Sequence, residues 1–350
     1  MPAGLLAFLI ALFASLTLTV PVRALALRVG MVDLPGPRKV HLQPIPLLGG
    51  LAMYIAVVLA ILSAFEGPAR AQIVGILSGA TVVAAVGFFD DRGWLHHQVK
   101  LFVAMPLAAG ILLVTGIHAQ VFSILVGGPL GDVLDAILTI LFVVGITAAF
   151  SILDHMDGLC AGIAAMASIF FAMIAYLNGQ TLVTTLAAAV LGASTGFLRW
   201  NFKPAKIFMG DGGAMFLGFL MATLGLKLRL ENSPHLAGWL APLLILGVTI
   251  FDTTLVSVSR ARRGLLPFTT PGKDHAAHRI ANLGLGQRGA VVTLYLFGAL
   301  SGGAAVLTNY VSPVGAVFIA VLAIAFVLTG VAFLERAPFE RQVRKPVTYA

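Results

Sequence analysis

Charged residues and cysteine are scarce in this sequence. Only 10% of its 350 residues are Asp, Glu, Lys or Arg, whereas 59% are hydrophobic. A soluble domain needs a charged surface, so this composition excludes an ordinary soluble protein and predicts one that crosses a membrane several times. The single cysteine, Cys160, excludes an internal disulfide.

Apolar runs of about 20 residues, the length that a bilayer requires, occupy most of the chain. We predict one all-α membrane domain over residues 1–350, a helix bundle with about eleven transmembrane helices. The predicted spans are 4–27, 47–65, 71–89, 100–117, 134–152, 159–177, 181–199, 213–230, 236–258, 290–309 and 313–334. Basic residues follow the first run rather than precede it, so we expect a retained span and not a cleaved signal peptide.

Basic residues are distributed unevenly between the two sides of these spans. All Lys and Arg residues except Arg70, Lys227 and Arg229 fall on one side. Because basic residues concentrate in cytoplasmic loops, we expect an outside N-terminus and a cytoplasmic C-terminus. The net charge of +8 follows from this bias and from anionic headgroups, so it indicates membrane lipids and no nucleic-acid partner.

Carboxylates cluster at the cytoplasmic ends of the predicted spans. Asp90 and Asp91 end the third span, and adjacent carboxylates at a membrane surface are costly unless they hold a cation or a proton. Asp154 and Asp157 follow the fifth span and would share one face of a helix; alternatively, Asp157 caps the sixth span. Asp252 is predicted on the order of 12 Å below the cytoplasmic end of its helix. We expect it to face the bundle interior and to position another group.

Basic and histidine side chains lie in loops on the same side. Two loops carry clusters of them: Arg38, Lys39 and His41 in the first, and His275, His278 and Arg279 in the largest. Each cluster is either an anion site or an ordinary solvated basic loop. The segment 201–213 adds two lysines, Asp211 and three flexible glycines between apolar runs, which suits a phosphate held with a divalent cation.

Together these groups indicate a phosphate-handling site at one membrane surface. Mg²⁺ typically takes one or two protein carboxylates and completes its shell with water and substrate phosphates. The chain has no Gly-x-x-x-x-Gly-Lys-Ser/Thr pattern, so ATP-driven transport is not indicated. A lipid acceptor and a water-soluble phosphorylated donor would meet at such a surface. The alternative is a transporter of an anionic solute, for which charges near the bilayer midplane are expected.

Five motifs occur in an order that resembles the polyprenyl-phosphate N-acetylhexosamine-1-phosphate transferases. They are Arg38-Lys39-x-His41 with Pro46 and Gly49-Gly50, Asp90-Asp91, Asp154-x-x-Asp157-Gly158-Leu159, the segment from Asn201 to Asp211, and Asp274-His275-x-x-His278-Arg279. The resemblance implies transfer of an N-acetylhexosamine 1-phosphate from a UDP-sugar to undecaprenyl phosphate, with release of UMP. It also implies a Mg²⁺ cofactor, with Mn²⁺ as the alternative. The expected location is the bacterial inner membrane, with the site on its cytoplasmic face and a cell-envelope glycan as the downstream product.

The resemblance further implies roles for individual residues. Asp211 would be the principal magnesium ligand with Asp154 beside it, Phe208 would stack on uracil, and Asp90 would act as the base at the lipid phosphate. The candidate catalytic residues are Asp90, Asp91, Asp154 and Asp157. The other candidate substrate-binding residues are Arg38, Lys39, His41, Ser151, Lys206, His275, His278 and Arg279. Direct attack on the β-phosphorus is favoured, with a covalent aspartyl intermediate as the alternative.

One motif departs from the family pattern. The family commonly has Asn-Ala-x-Asn before the aspartate pair, but this chain has Ala148 and Ser151 at the two asparagine positions. This departure leaves a catalytically altered member as an alternative. The form of the late histidine loop favours UDP-GlcNAc over UDP-GalNAc or a modified hexosamine as donor. A homodimer is an open alternative to a monomer.

Overall fold

The computed structural model describes residues 3–35, 43–65, 67, 69–95, 97–230, 238–265 and 272–339. Within them the chain forms a bundle of helices and one two-stranded sheet. The helices are α1 (Ala3–Arg28), α2 (Gly49–Ala64), α3 (Arg70–Asp91), α4 (His97–Val99), α5 (Met105–Val114), α6 (Phe122–Leu125), α7 (Gly128–Leu153), α8 (Leu159–Leu177), α9 (Thr181–Asn201), α10 (Gly210–Lys227), α11 (Leu240–Ile245), α12 (Gly247–Arg262), α13 (Ala276–Ile280), α14 (Gly286–Leu307) and α15 (Pro313–Leu334). The strands are β1 (Val32–Asp33) and β2 (Ile45–Pro46), and π-helical turns occupy Lys100–Ala104 and Ala281–Leu285. The predicted anion-binding residues Arg38, Lys39 and His41 lie outside the described residues.

The helices coincide with the predicted apolar runs, which confirms the all-α polytopic class. In the described part of the chain, seven are long and apolar enough to cross a membrane: Ala3–Arg28, Arg70–Asp91, Gly128–Leu153, Leu159–Leu177, Thr181–Asn201, Ala276–Leu307 and Pro313–Leu334. Two predicted spans are not single regular helices. The fourth begins with a π-helical turn, and the ninth is interrupted at Leu246 between α11 and α12. The count of eleven crossings and the orientation of the termini stay predictions.

Helix α10 is the centre of the bundle. Helices α2, α3, α7, α8 and α9 pack around it, and every residue from Gly212 to Leu226 is buried. The sequence of this helix is apolar on all sides, which is typical of a helix without a solvent face. At the periphery, α15 buries only Ala316, Val331 and Leu334, so most of its apolar surface faces outward. The first turn of α10 therefore lies where several neighbouring helix ends meet.

Glycines allow α2 and α3 to approach the first turn of α10. A Cβ atom on Gly50 would lie 2.3 Å from the Cα of Gly213, and one on Gly87 would lie 2.5 Å from the Cα of Gly212. Backbone atoms cannot yield to such contacts, so only glycine fits at these positions. Gly212 and Gly213 at the start of α10 thus serve close packing, and Gly210, with φ of +74°, uses the backbone freedom of glycine.

Residues 45–50 join the first loop to the segment before α10. The N–H of Phe208 donates to the carbonyl of Pro46 at 2.9 Å. The N–H groups of Gly49 and Gly50 donate to the carbonyls of Phe208 and Met209, each at 2.9 Å. These hydrogen bonds hold together two segments that are far apart in sequence, residues 45–50 and the residues just before α10.

A second apolar core holds the late loop against the turn between α7 and α8. It includes Leu153 and Met156 near that turn, Phe251 on α12, and Ala276 and Ala277 on α13. This packing brings the predicted histidine motif beside the residues that follow α7.

Candidate active site

Four elements bring Asp90, Lys100, Ser151 and Asp211 together at one end of the bundle. Lys100 Nζ lies 2.8 Å from Asp90 Oδ2 and 2.5 Å from Asp211 Oδ2. Ser151 Oγ donates to Asp211 Oδ1 at 2.8 Å. Asp90 belongs to the last turn of α3, Ser151 to the last turn of α7 and Asp211 to the first turn of α10. Asp211 is therefore contacted from both sides of the central helix.

Asp91 fastens α3 to α10. Its Oδ1 accepts the N–H of Asp211 at 2.8 Å, and its Oδ2 accepts the N–H of Gly212 at 3.2 Å. These N–H groups lie in the first turn of α10, where a helix leaves donors without intrahelical partners and favours negative charge. The two adjacent aspartates thus have different partners. Asp91 accepts hydrogen bonds from backbone N–H groups of α10, whereas Asp90 pairs with the Lys100 side chain.

The turn between α7 and α8 is not helical, so the predicted shared helix face of Asp154 and Asp157 is wrong. Helix α7 ends at Leu153, and Gly158, with φ of +78°, precedes α8. Asp157 does not cap α8 either. Its Oδ2 accepts the N–H of Ala205 at 3.1 Å and ties the turn to the segment before α10.

Asp154 lies among other carboxylates. Burial, followed by the charges of Asp211, Asp91 and Asp157, raises the pKa of Asp154 to about 8. Without a cation this carboxyl is mostly protonated at pH 7, and a nearby divalent cation would favour the ionised form. A cation bound beside Asp154 would therefore offset the burial and the neighbouring negative charges that disfavour its ionised form.

Buried Asn201 organises the segment before α10. Its Oδ1 accepts the N–H of Gly158 at 3.0 Å, and its Nδ2 donates to the carbonyl of Ile207 at 3.0 Å. Phe208, predicted to stack on uracil, is half-buried. Lys206 is exposed, and its Nζ lies 5.6 Å from the centroid of the Trp200 ring. Among the described residues, Lys206 makes no contact with the cluster around Asp211.

Three imidazole rings meet beside the acidic cluster. The ring centroid of His155 lies 4.1 Å from that of His275 and 4.7 Å from that of His278. Asp252 is buried and accepts His275 Nδ1–H at 2.8 Å and the N–H of Ala276 at 2.7 Å. The expectation that Asp252 faces the interior and holds another group is confirmed. Burial, followed by the neighbouring His275 and His278, lowers the pKa of His155 well below its ordinary value.

Asp274 anchors the late loop to α12. Arg260 binds it with two contacts, Nε to Oδ2 at 3.0 Å and Nη2 to Oδ1 at 2.9 Å, and Arg263 pairs with Oδ2. Burial opposes ionisation of Asp274, but the hydrogen bonds and charges of Arg260 and Arg263 outweigh it and lower the pKa of this carboxyl to about 2.

Arg279 is fully buried and engaged by protein groups. Its guanidinium donates to the carbonyls of Asp274 and Leu334 and to Ser259 Oγ, and it lies 2.8 Å from Glu335 Oε1. The structure thus places Arg279 inside the fold, joining α12, α13 and the end of α15. Direct contact with a substrate does not follow from this placement.

Sequence reasoning assigned no role to Lys100, His155 or Asn201. For Lys100 a signal exists, because a cation inside an apolar run close to a carboxylate pair is expected to have an acidic partner. His155 offers no such signal, because the rings that it contacts, those of His275 and His278, lie more than a hundred residues further along the chain. Asn201 ends a helix, and the sequence could indicate only that an asparagine there caps the helix or belongs to a loop. Its bonds to Gly158 and Ile207 could not be predicted.

The donor set fits a divalent cation of the magnesium type. Asp211 and Asp154 offer carboxylate oxygens, and the charge of Asp211 acts on Asp154. The Lys100 ammonium lies between Asp90 and Asp211, so these two carboxylates already share a positive charge. One or two carboxylates with room for water and phosphate oxygens are the usual protein contribution to Mg²⁺ binding.

The fold and this geometry define a class: a polytopic helical membrane protein with an acidic, cation-suited site at one end of its bundle. The sequence model of glycosyl transferase family 4 matches residues 73–229. A probable undecaprenyl-phosphate N-acetylglucosaminyl 1-phosphate transferase of Bacillus subtilis is 36% identical, over 83% of this chain and 81% of that protein. A decaprenyl-phosphate N-acetylglucosaminephosphotransferase of Mycolicibacterium smegmatis is 34% identical, over 96% of this chain and 89% of that protein.

A more distant relative has the same kind of name. The undecaprenyl-phosphate alpha-N-acetylglucosaminyl 1-phosphate transferase of Escherichia coli K12 is 28% identical, over 82% of this chain and 79% of that protein. The chain belongs to the polyprenyl-phosphate N-acetylhexosamine-1-phosphate transferase family. The family resemblance predicted from the five motifs is thereby confirmed.

Proposed function

We propose that this protein transfers N-acetylglucosamine 1-phosphate from UDP-GlcNAc to undecaprenyl phosphate on the cytoplasmic membrane face. UMP is released, and the lipid-linked sugar starts a cell-envelope glycan. The observation that carries the proposal is the convergence of Asp90, Lys100 and Ser151 on Asp211 at one end of the bundle. The names of the bacterial and mycobacterial relatives support the reaction class.

The reaction exchanges one phosphorus–oxygen bond for another. An oxygen of the lipid phosphate forms a bond to the β-phosphorus of the donor, and the bond from that phosphorus to the bridging oxygen breaks. The bridging oxygen and its electron pair leave with UMP. Phosphoryl transfer of this kind depends on positioning and on neutralising the charge of the transferring group.

The residues of the acidic cluster divide these tasks. Asp90 accepts the proton of a lipid phosphate that arrives singly ionised, and Lys100 keeps Asp90 beside Asp211. Asp211 and Asp154 would hold Mg²⁺, which when bound supplies positive charge to the diphosphate. Ser151 orients the Asp211 carboxylate through its hydroxyl, in place of the amide that the family commonly has.

The histidine segment supplies the other wall of the donor site in this proposal. Asp252 fixes the orientation of His275 through Nδ1, so Nε2 is the ring nitrogen left for another partner. Arg260 and Asp274 hold the segment in place. His278 lies one helical turn after His275 and extends the same surface.

A donor panel tests the proposal. Purified protein in detergent is incubated with Mg²⁺, undecaprenyl phosphate and, in turn, UDP-GlcNAc, UDP-GalNAc, UDP-glucose and UDP-MurNAc-pentapeptide, and UMP is quantified by chromatography. We expect UMP only with the N-acetylhexosamine donors and fastest with UDP-GlcNAc. No UMP with any donor, together with solute flux in proteoliposomes, would favour the transporter alternative.

A further inference from the structure

His155 has no part in the proposed reaction. Its neighbours His275 and Asp252 are held by hydrogen bonds to other groups, whereas within the described part of the chain the ring nitrogens of His155 are not. We propose that His155, His275 and Asp252 form a binding site for a transition-metal ion, with Zn²⁺ as the expected ion, distinct from the magnesium site at Asp211. The proposal does not rest on the proposed transferase reaction, because it concerns ion binding alone.

The first support is the proximity of three donor groups. One donor atom from each of His155, His275 and Asp252 lies within 4.8 Å of the others. Zinc binds imidazole nitrogen at about 2.0–2.1 Å, so two ligands of one ion lie at most about 4 Å apart. Movement of side chains by about 1 Å would thus complete a three-ligand set. Three protein ligands and one open position are a common zinc arrangement.

The second support is independent of the first. Both ring nitrogens of His155 are buried and have no hydrogen-bond partner among the described residues. Burying a polar atom without a partner costs free energy, and the imidazole of His155 carries two such atoms. An ion that binds one of these nitrogens would relieve part of this cost.

The charges around the cluster suit a dication. Asp252 is buried with 1% relative exposure and His275 with 4%, so the carboxylate supplies a negative charge in a site with little water. The nearest guanidinium, that of Arg260, is already paired with Asp274 through two contacts. The imidazole-rich donor set favours zinc, cobalt, nickel or copper over magnesium, which prefers oxygen ligands.

Binding would exchange a proton for the ion. In the metal-free site His275 Nδ1–H donates its proton in a hydrogen bond to Asp252 Oδ2 at 2.8 Å. When Zn²⁺ takes both of these atoms as ligands, that proton is released to solvent. Asp252 Oδ1 can keep its bond from the N–H of Ala276, which would hold the carboxylate in place. The ion would cross-link the turn after α7, helix α12 and the segment before α13.

The test uses full-length protein that has been stripped of metal in detergent. Zinc bound after dialysis is measured by mass spectrometry in an excess of Mg²⁺, and Co²⁺ is used as an absorbing substitute. The variants are His155→Phe, which keeps a ring but removes both nitrogens, and Asp211→Asn, which alters the magnesium site. His118→Phe is the matched control, because His118 lies at the other end of the bundle and pairs with Ala119.

We expect one tightly bound zinc per chain in the native protein, in Asp211→Asn and in His118→Phe, and none in His155→Phe. Zinc should also raise the melting temperature of the native protein. This second measurement does not depend on whether the His155→Phe variant folds. The absence of bound zinc in the native protein, or equal zinc binding in His155→Phe, would overturn the proposal.

Discussion

Asp211 is the side chain to which most contacts of the acidic cluster lead. Lys100 and Ser151 contact its two oxygens, and Asp91 holds its backbone N–H. Residues on three other elements therefore fix one carboxylate at the start of α10. Its role as the principal magnesium ligand is a proposal that substitution can test.

Asp211→Asn removes the negative charge while keeping the size of the side chain. Because an amide binds Mg²⁺ far less well than a carboxylate, we expect turnover to fall on the order of 100-fold or more at ordinary magnesium concentration. UMP release at several magnesium concentrations measures the change. Asp132→Asn is the control, since Asp132 is exposed at the opposite end of the bundle. Near-normal turnover in Asp211→Asn would remove the residue from this role.

Lys100 supplies the positive charge between Asp90 and Asp211. Lys100→Met would leave these carboxylates to repel each other, so we expect kcat/KM to fall on the order of 100-fold. Lys227→Met is the matched control, because Lys227 lies at the other end of α10 and should leave activity within about twofold of native. Equal losses in the two variants, measured by UMP release, would show a general effect on the protein rather than one on the site.

The sequence predicted those site residues whose charge is unusual in an apolar membrane protein. Asp90, Asp154 and Asp211 stand out because carboxylates at helix ends in an apolar chain need a partner. Arg279 was placed with the substrate-binding residues because it belongs to the late motif with His275 and His278, but its burial depends on α12 and α15 packing around it. Such packing is a property of the folded chain and has no local signature.

At the scale of elements, the contact of α3 with α10 sets the spacing of the acidic residues. Gly87 lies one turn before Asp90 and touches the backbone of Gly212. The pair of glycines thus determines how near Asp90 comes to Asp211.

Gly87→Ala is expected to separate the two helices, because the added Cβ would lie 2.5 Å from backbone atoms. A displacement of about 1 Å at a catalytic group can lower turnover on the order of 100-fold. Gly145→Ala serves as the control, since a Cβ there meets nothing within 4 Å and Ala favours the helix. Turnover by the two variants is compared with native protein, and full activity in Gly87→Ala would contradict the proposed role of this contact.

Arg279 joins α12, α13 and the end of α15. Arg279→Met leaves Glu335 without its nearest cation and removes the buried donors to Ser259 Oγ and to the carbonyls of Asp274 and Leu334, so we expect a loss of about 3–5 kcal/mol in the free energy of unfolding. Arg262→Met should cost about 1 kcal/mol or less, because Arg262 is 70% exposed and lies 3.7 Å from the same glutamate. Melting temperature in detergent compares the two. Equal shifts would argue against a structural role for Arg279.

Element boundaries show the limit of sequence reasoning here. Two interpretations were open for the residues after α7: a helical segment that would place Asp154 and Asp157 on one face, or Asp157 as the cap of the sixth span. Instead helix α7 ends at Leu153, and the next residues bond elsewhere: Asp157 accepts the N–H of Ala205, and the N–H of Gly158 donates to Asn201. Those bonds are tertiary, so the apolar pattern of α7 could not indicate them.

For the whole molecule, long apolar runs were enough to predict an all-α membrane bundle. They could not show that α10 lies at its centre, because an all-round apolar helix can face either lipid or other helices. The fold places the ends of α3, α7 and α10 together, and this is what turns scattered aspartates into one site.

Transfer of the sugar together with its phosphate separates the proposed reaction from that of an enzyme that moves the sugar alone. The most direct measurement uses UDP-GlcNAc labelled with ³²P in the β-phosphate, with undecaprenyl phosphate, Mg²⁺ and purified protein, followed by extraction of the lipid. We predict that the label enters the lipid fraction while unlabelled UMP stays in water, and that Asp211→Asn abolishes both. If sugar reached the lipid while the label remained in water as UDP, the protein would transfer the sugar alone, which contradicts the proposed reaction.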